Sequence, residues 1–445
     1  MLRKKALEIA EKVKNAGGRA YYVGGCVRDF VMGRECFDTD MEIHGIEEDV
    51  LEKILSECGK VLKYGKSFAI YSLADFGIDI ALPRSEVATG RGHRDFDVTP
   101  DPYLGTLKAA KRRDFTVNAL MQDVITGEIT DHFGGLCDIK EKKLRHVNDS
   151  AFSEDPLRVM RLAQFAARLD FEPCEETLEL CRGIDLSTLS SERVFDELKK
   201  ALLKSDKPSV FFETLRQTNG LDVWFPEVKK LAGTKQNPKY HLEGDVWTHT
   251  MMVLDYAVKL KDKTQNPLGF MLCALFHDLG KTVCTTVKNG EIHSYNHETE
   301  GLPLIEKAMN RITKEKNLTK YVLNLSSLHM KPKVVALSGS GMKTTNRMFD
   351  EALAPFDLIC ISEADNGGKL PKEDFGKIRD FLTERYELYK EIMSKPFVDG
   401  RDLIEIGFCP GESFRELMAY AHKLRLAGVP KDEAIKQVAA YGRKL

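Results

Sequence analysis

The sequence predicts an α+β chain: a head built on a small mixed sheet with helices, followed by all-α segments. Three observations predict it. Residues 1–140 alternate short apolar runs with helical stretches. Residues 157–169 and 191–203 carry apolar side chains at three-to-four spacing, as helices with one buried face do. Farther on, apolar helical runs hold most of the histidines, and His241, His249, His277, His293, His297 and His329 all lie between 241 and 329.

The elements follow in order. Residues 1–19 form a charged amphipathic helix pattern ending at Gly17-Gly18, unlike a signal peptide. Ala20-Tyr21-Tyr22-Val23 reads as a strand, Gly24-Gly25 as a tight turn and Asp29-Phe30-Val31-Met32 as the start of a helix. Glycine permits close backbone approach, and unpaired N–H groups at a helix start favour phosphate. The next strand is expected over 37–43, which puts Asp38 and Asp40 on one face because strand side chains alternate. Paired carboxylates suit Mg²⁺ that also grips phosphates. Residues 68–73 and 77–82 read as a hairpin turning at Asp75-Phe76-Gly77. Asp79, between Ile78 and Ile80, either faces water or completes a carboxylate triad with Asp38 and Asp40.

Four pieces result: a head over 1–140, a helical neck and body over 141–235, histidine-bearing helices over 236–395, and a helical tail over 396–445. The third is entered through a linker, Gly233-Thr234-Lys235-Gln236-Asn237-Pro238. With 445 residues and 42% apolar content the chain can bury several cores. It has no apolar run of 18 residues, and its ten cysteines form no C-x-x-C pair. These features point to a reducing cytoplasm and away from membranes. A net charge of −2 means that any RNA contact comes from local basic surface. Such surfaces are Lys199-Lys200 with Lys204 and Lys207, Lys229-Lys230 with Lys235 and Lys239, and Lys423, Arg425, Lys431, Arg443 and Lys444 in the tail.

Longer motifs continue the pattern: Lys111-Arg112-Arg113-Asp114-Phe115-Thr116-Val117-Asn118-Ala119-Leu120, Gly134-Gly135-Leu136-Cys137-Asp138, Glu154-Asp155-Pro156-Leu157-Arg158, and Ser191-Glu192-Arg193-Val194-Phe195-Asp196-Glu197. With the Gly-Gly turn and the three acids, they resemble the class-II tRNA nucleotidyltransferases and bacterial poly(A) polymerases, in order along nearly the whole chain. The resemblance implies a polymerase-β-like head and template-independent addition of CMP and AMP, from CTP and ATP, to the 3′ end of tRNA. A poly(A) polymerase, or an enzyme adding only CC or only A, shares these motifs and is the alternative. By the same resemblance Asp38 and Asp40 hold Mg²⁺, with Asp79 the third catalytic acid. Gly24, Gly25, Arg28 and Arg113 contact the nucleotide. Asp155 and Arg158 read the base edge, with Arg161 on the phosphates. Asp155, Arg158 and Arg161 stand at i, i+3 and i+6, one stripe of a helix; an i,i+3 salt bridge is the plain reading of such a spacing, and the order of the surrounding motifs outweighs it. Members of that family usually carry a further Arg where this chain has Gln164, and acidic residues where it has Lys108-Ala109-Ala110-Lys111.

Leu275-Phe276-His277-Asp278-Leu279-Gly280-Lys281, with His249 before it and Asp365 after, resembles the HD superfamily of metal-dependent phosphohydrolases. Its ligands would map to His249, His277, Asp278 and Asp365, with His297 and His329 as accessory positions and His293 incidental. Imidazoles and carboxylates together suit Ni²⁺, Mn²⁺ or a similar ion, or Mg²⁺. The combination resembles one bacterial subgroup of CCA-adding enzymes and implies added hydrolysis of 2′,3′-cyclic phosphates, 2′-nucleotides and other phosphate esters. Expected partners are therefore the tRNA 3′ end, CTP and ATP, with no DNA and no membrane, in a monomer or homodimer.

Overall fold

The computed structural model describes residues 2–35, 39–64, 70–73, 75–88 and 96–444. The chain divides into two compact units, residues 1–201 with 210–223, and 202–209 with 224–445.

The first unit is organised by a seven-stranded mixed sheet. Its strands are β1 (Arg19–Val23), β2 (Thr39–His44), β3 (Val61–Tyr64), β4 (Ile70–Leu73) and β5 (Ile78–Ala81). A separate ribbon, β6 (Arg84–Ala88) with β7 (Phe96–Pro100), precedes the last two sheet strands, β8 (Met121–Asp123) and β9 (Ile129–Thr130). The sheet order is β3-β4-β5-β2-β1-β8-β9. β4 and β5 form the expected antiparallel hairpin, turning through Asp75-Phe76-Gly77 with Gly77 at φ 64°. The second strand runs from Thr39 to His44, one residue past the expected end, and Asp38 lies outside the described residues.

Alternation decides what the sheet buries. Met41, Ile43, Ile78 and Ile80 point to one face, where they pack with Ile9 and Val13 of helix Leu2–Asn15 and with Leu51 and Leu55 of helix Glu48–Cys58. Asp40, Glu42 and Asp79 occupy the intervening positions and therefore take the other face. The helices cover one side of the sheet and leave the acids on the other.

Helix Leu157–Leu169 starts after Pro156, so Asp155 lies before the helix and off the expected stripe. Its side chain instead accepts from Leu157 N–H at 3.1 Å. Proline fixes a helical φ and lacks an N–H, which suits it to a helix start.

The second unit is helical apart from a small hairpin, Thr286–Lys288 with Glu291–His293. Helix Pro267–Phe276 is apolar on every side and buried from Gly269 onward. Helices Val246–Ala257, Lys316–Leu328 and Pro355–Gly367 surround it. The tail has its own cluster, Val398, Leu403, Leu417, Ala421, Leu424, Ala434 and Val438, over helices Gly400–Glu405, Glu412–Leu426 and Lys431–Gly442. Among the described residues no cysteine forms a disulfide and no helix is long and apolar enough to cross a membrane.

Candidate active sites

In the first unit, β2 and β5 run parallel with Asp40 directly opposite Asp79. Adjacent strands lie about 4.8 Å apart, so the two exposed carboxylates are neighbours. Glu42, two residues along β2, shares their face. It meets Arg113 Nη2 at 3.3 Å and His44 Nε2 at 2.8 Å. Burial pushes the Glu42 carboxyl up, but His44 and Arg113 outweigh it and hold it below the usual range. Gly24 ends β1 at φ 72°. A Cβ there would stand 3.0 Å from Arg113 Nη1 and 4.0 Å from Asp40 Oδ2. Glycine is thus required both by conformation and by the approach of Arg113 and Asp40.

Arg28 lies beneath this turn, almost fully buried. It donates to Asn118 Oδ1 at 2.5 Å and to Asp29 Oδ1 at 2.9 and 2.7 Å, and its guanidinium sits 5.2 Å from the Phe165 ring. Its Nη2 is 3.4 Å from where a Gly25 side chain would begin, so it props the turn from below.

The plain i,i+3 salt bridge between Asp155 and Arg158, the reading set aside in favour of base contact, is not made. Besides Leu157 N–H, Asp155 accepts from Arg193 Nη2, at 3.2 and 2.9 Å. Arg158 donates to the carbonyls of Ala151 and Arg112, at 2.6 and 2.7 Å. Arg161 grips Asp114 through Nε at 2.7 Å and Nη2 at 2.6 Å. Burial raises the Asp114 carboxyl, and Arg161 with Asn118 more than reverses this. Gln164 is buried with Nε2 unpartnered. Glu42, Asp114 and Arg193 were given no role by sequence reasoning.

In the second unit six predicted residues converge. His249 comes from helix Val246–Ala257, His277 and Asp278 follow helix Pro267–Phe276, His329 follows helix Lys316–Leu328, and Asp365 lies in helix Pro355–Gly367. They make two adjacent trios that could hold an ion each, His249/His277/Asp365 and Asp278/His297/His329. Asp278 faces both: Oδ2 is 3.6 Å from His249 Nε2 and 3.4 Å from His277 Nε2, while Oδ1 is 3.2 Å from His297 Nε2.

The imidazoles share one device. Nδ1 meets a backbone carbonyl in each: Gly368 for His249 at 3.2 Å, Ala274 for His277 at 2.9 Å, Ser294 for His297 at 2.9 Å and Ser326 for His329 at 2.6 Å. A carbonyl only accepts, so Nδ1 carries a proton and every Nε2 faces the site, where it can ligate a cation once unprotonated. Such anchoring of the second ring nitrogen is what orients metal-ligating histidines. His277 Nε2 is buried without a hydrogen-bond partner, an orphan acceptor that a cation would satisfy. Burial pushes Asp278 and Asp365 up, yet the ammoniums of Lys281 and Lys369, 2.7 and 3.1 Å away, and the site histidines hold both well below the carboxylate range. Burial, then His277 and His297, lower His329 to about 3. The residues present fit a divalent ion.

Other residues of this site were not foreseen. Glu243 takes His249 Nδ1 at 3.1 Å and His241 Nδ1 at 2.6 Å. Lys281 bonds Gln236 Oε1 at 2.8 Å. Gln236 and Asn237, read as linker, line the cavity over the site instead. At Gly280 a side chain would overlap the His297 carbonyl oxygen and come 2.7 Å from Gly301 N. Gly280→Ala is therefore expected to destabilise the second unit by about 1–3 kcal/mol, read as a lowered urea midpoint, because backbone must move.

Comparison with known families matches three stretches of the chain. The Poly A polymerase head domain matches residues 20–145, the "Probable RNA and SrmB- binding site of polymerase A" matches 170–231, and the HD domain matches 246–366. Fold and sites together define a nucleotidyltransferase joined to an HD domain. The chain is 34% identical to the Multifunctional CCA protein of Pasteurella multocida over 408 residues, 88% of this chain and 92% of that one. With the protein of the same name from Shewanella frigidimarina it shares 39% over 318 residues, 70% and 73% of the two chains. The chain belongs to the family of multifunctional CCA proteins, CCA-adding tRNA nucleotidyltransferases with an HD domain. Its fold resembles the Bacillus stearothermophilus CCA-adding enzyme in complex with CTP (TM-score 0.68, 21% identity, 99% of this chain and 98% of that one). It likewise resembles the Thermotoga maritima CCA-adding enzyme complexed with tRNA (TM-score 0.63, 19% identity, 98% and 94%).

Proposed function

We infer that the first unit adds CMP and AMP, from CTP and ATP, to the 3′ end of tRNA, and that the HD helices hydrolyse phosphate esters. The observation that carries the first reading is Asp40 opposite Asp79 beside the Gly24 turn. Asp38, outside the described residues, and Asp40 would hold Mg²⁺, which when bound supplies charge for the triphosphate and activates the 3′-hydroxyl. Arg113 stands over Gly24 to meet the nucleotide phosphates, while Arg28 supports the turn. Asp155 accepts from the exocyclic amino group that cytosine and adenine share, and Arg158 donates to the adjoining ring nitrogen. To do so they exchange Arg193 and the two carbonyls for the base. Lysines 199, 200, 204 and 207 offer sequence-independent contact to tRNA phosphates.

Labelled CTP and ATP offered to tRNA transcripts ending before CCA, after C and after CC test this. Growth of all three to a defined CCA end supports it. An open-ended A tail, or A added only to the last, overturns full CCA synthesis.

For the HD site we propose that His249, His277 and Asp365 would hold one divalent ion, Ni²⁺, Mn²⁺ or Mg²⁺, and that Asp278, His297 and His329 would hold a second. When bound they polarise a phosphate ester and activate water. Glu243 and Gly368 fix His249, and Lys281 and Lys369, relieved of their carboxylates, meet phosphate oxygens. Metal analysis of Mn²⁺-loaded protein dialysed against Mg²⁺ is expected to find two Mn²⁺ per chain, and one in His329→Ala.

A further inference from the structure

We propose that the HD cavity admits only the phosphate and ribose of a nucleotide, and that Tyr240 at its mouth is the stacking surface for the base. The proposal rests on the phosphohydrolase reading and names what lies beyond the metal ligands.

Size and polarity carry the argument. The cavity is about 150 Å³, with Gln236, Asn237, His241, Lys281, Ser294 and Tyr240 in its wall. Sites that enclose a drug-sized molecule reach about 300–1,000 Å³. The cavity is smaller than such sites, so part of a nucleoside phosphate would stay outside it. The interior is also the wrong solvent for a base, because Asp278, Asp365, Lys281 and Lys369 face it with full charges. The base therefore stays at the entrance.

There the wall offers Tyr240, which is 58% exposed although it lines the cavity, whereas the imidazoles of His241 and His297 are largely buried. Its backbone is held, not loose. Tyr240 N–H donates to Asn237 C=O at 3.0 Å, Asn237 Nδ2 donates to Ile292 C=O of the hairpin at 3.4 Å, and Leu242 N–H donates to Leu370 C=O at 2.9 Å. With the backbone held on both sides, only side-chain freedom is lost when a base stacks on the ring. The Lys239 ammonium, 5.5 Å from the ring centroid, adds positive charge at the same place. Ring plus cation is the combination that binds single nucleotides irrespective of sequence. Tyr295, beside the cavity-lining Ser294, is already stacked on His293 at 5.0 Å and is less suited to the part.

The test compares two cyclic diesters on the full, metal-loaded chain: adenosine 2′,3′-cyclic phosphate and glycerol 1,2-cyclic phosphate, which lacks a base. In both, water adds across one P–O bond to leave a monoester and a free hydroxyl. The wild type is expected to favour the nucleoside ester through KM. Tyr240→Ala is expected to shrink that preference about tenfold, again through KM, and Tyr240→Phe to restore it. An unchanged preference in Tyr240→Ala, or equal losses on both esters, overturns the assignment of Tyr240. Equal hydrolysis of both esters by the wild type overturns it too, while leaving the phosphohydrolase reading intact. Hydrolysis of neither ester by the wild type overturns both.

Discussion

Asp40→Asn should lower nucleotide addition about 10³-fold and leave phosphoester hydrolysis untouched. The substitution removes a charge and almost no volume. On β2 the residues on either side, Thr39 and Met41, are buried while Asp40 faces outward, so the core does not feel the change. Surface substitutions of this kind move stability by about 0.5 kcal/mol or less. What is lost is one of the hard oxygens that face Asp79 across neighbouring strands. A metal bound there offsets the charge of the triphosphate, and losing such charge stabilisation costs several kcal/mol in the barrier. The measurement is incorporation of labelled CMP into a transcript ending before CCA, alongside the thermal midpoint. Addition at the wild-type rate by folded Asp40→Asn protein would falsify the placement of the catalytic metal on this strand face.

Much of this face was legible, and the residues that were not show why. The alternation that exposed Asp40 and Asp79 also covers Glu42, two positions on, so the signal for Glu42 existed and was not used. Pro156 likewise announced that Asp155 precedes its helix. Nothing local announced the partners of Asp155 and Arg161. Asp155 meets Arg193 38 residues later, and Arg161 meets Asp114 47 residues earlier. Long-range pairing is decided by packing, which spacing along one helix does not encode. The HD residues were the opposite case, because the resemblance to the HD superfamily named His249, His277, Asp278 and Asp365 in order and the fold brings them together. The histidine tautomers were hidden, since each depends on a carbonyl that only the folded helix ends provide. The segment 233–238 misled for a related reason: glycine, asparagine and proline announce a loop, and a loop can wall a cavity as well as join domains.

Asp278→Asn should do the reverse of Asp40→Asn, lowering phosphoester hydrolysis about 10³-fold while nucleotide addition continues. Asp278 belongs to one trio and faces the other, with one oxygen toward His297 and the other toward His249 and His277. An amide has one acceptor oxygen and no charge, so it serves neither trio fully. Folding survives because the shape is kept and Lys281, which loses its carboxylate partner, still bonds Gln236. Paired assays on one preparation decide the matter: cyclic-phosphate hydrolysis and CMP incorporation, each with wild type, Asp40→Asn and Asp278→Asn. Two sites that work independently give opposite losses in the two variants. If Asp278→Asn, folded by its thermal midpoint, lost both activities, the head would depend on the HD metals and the two-site account would fail. The geometry argues for independence, because every ligand of the HD trios and every carbonyl that anchors them lies within the second unit, and Asp40, Asp79, Gly24 and Arg113 lie within the first.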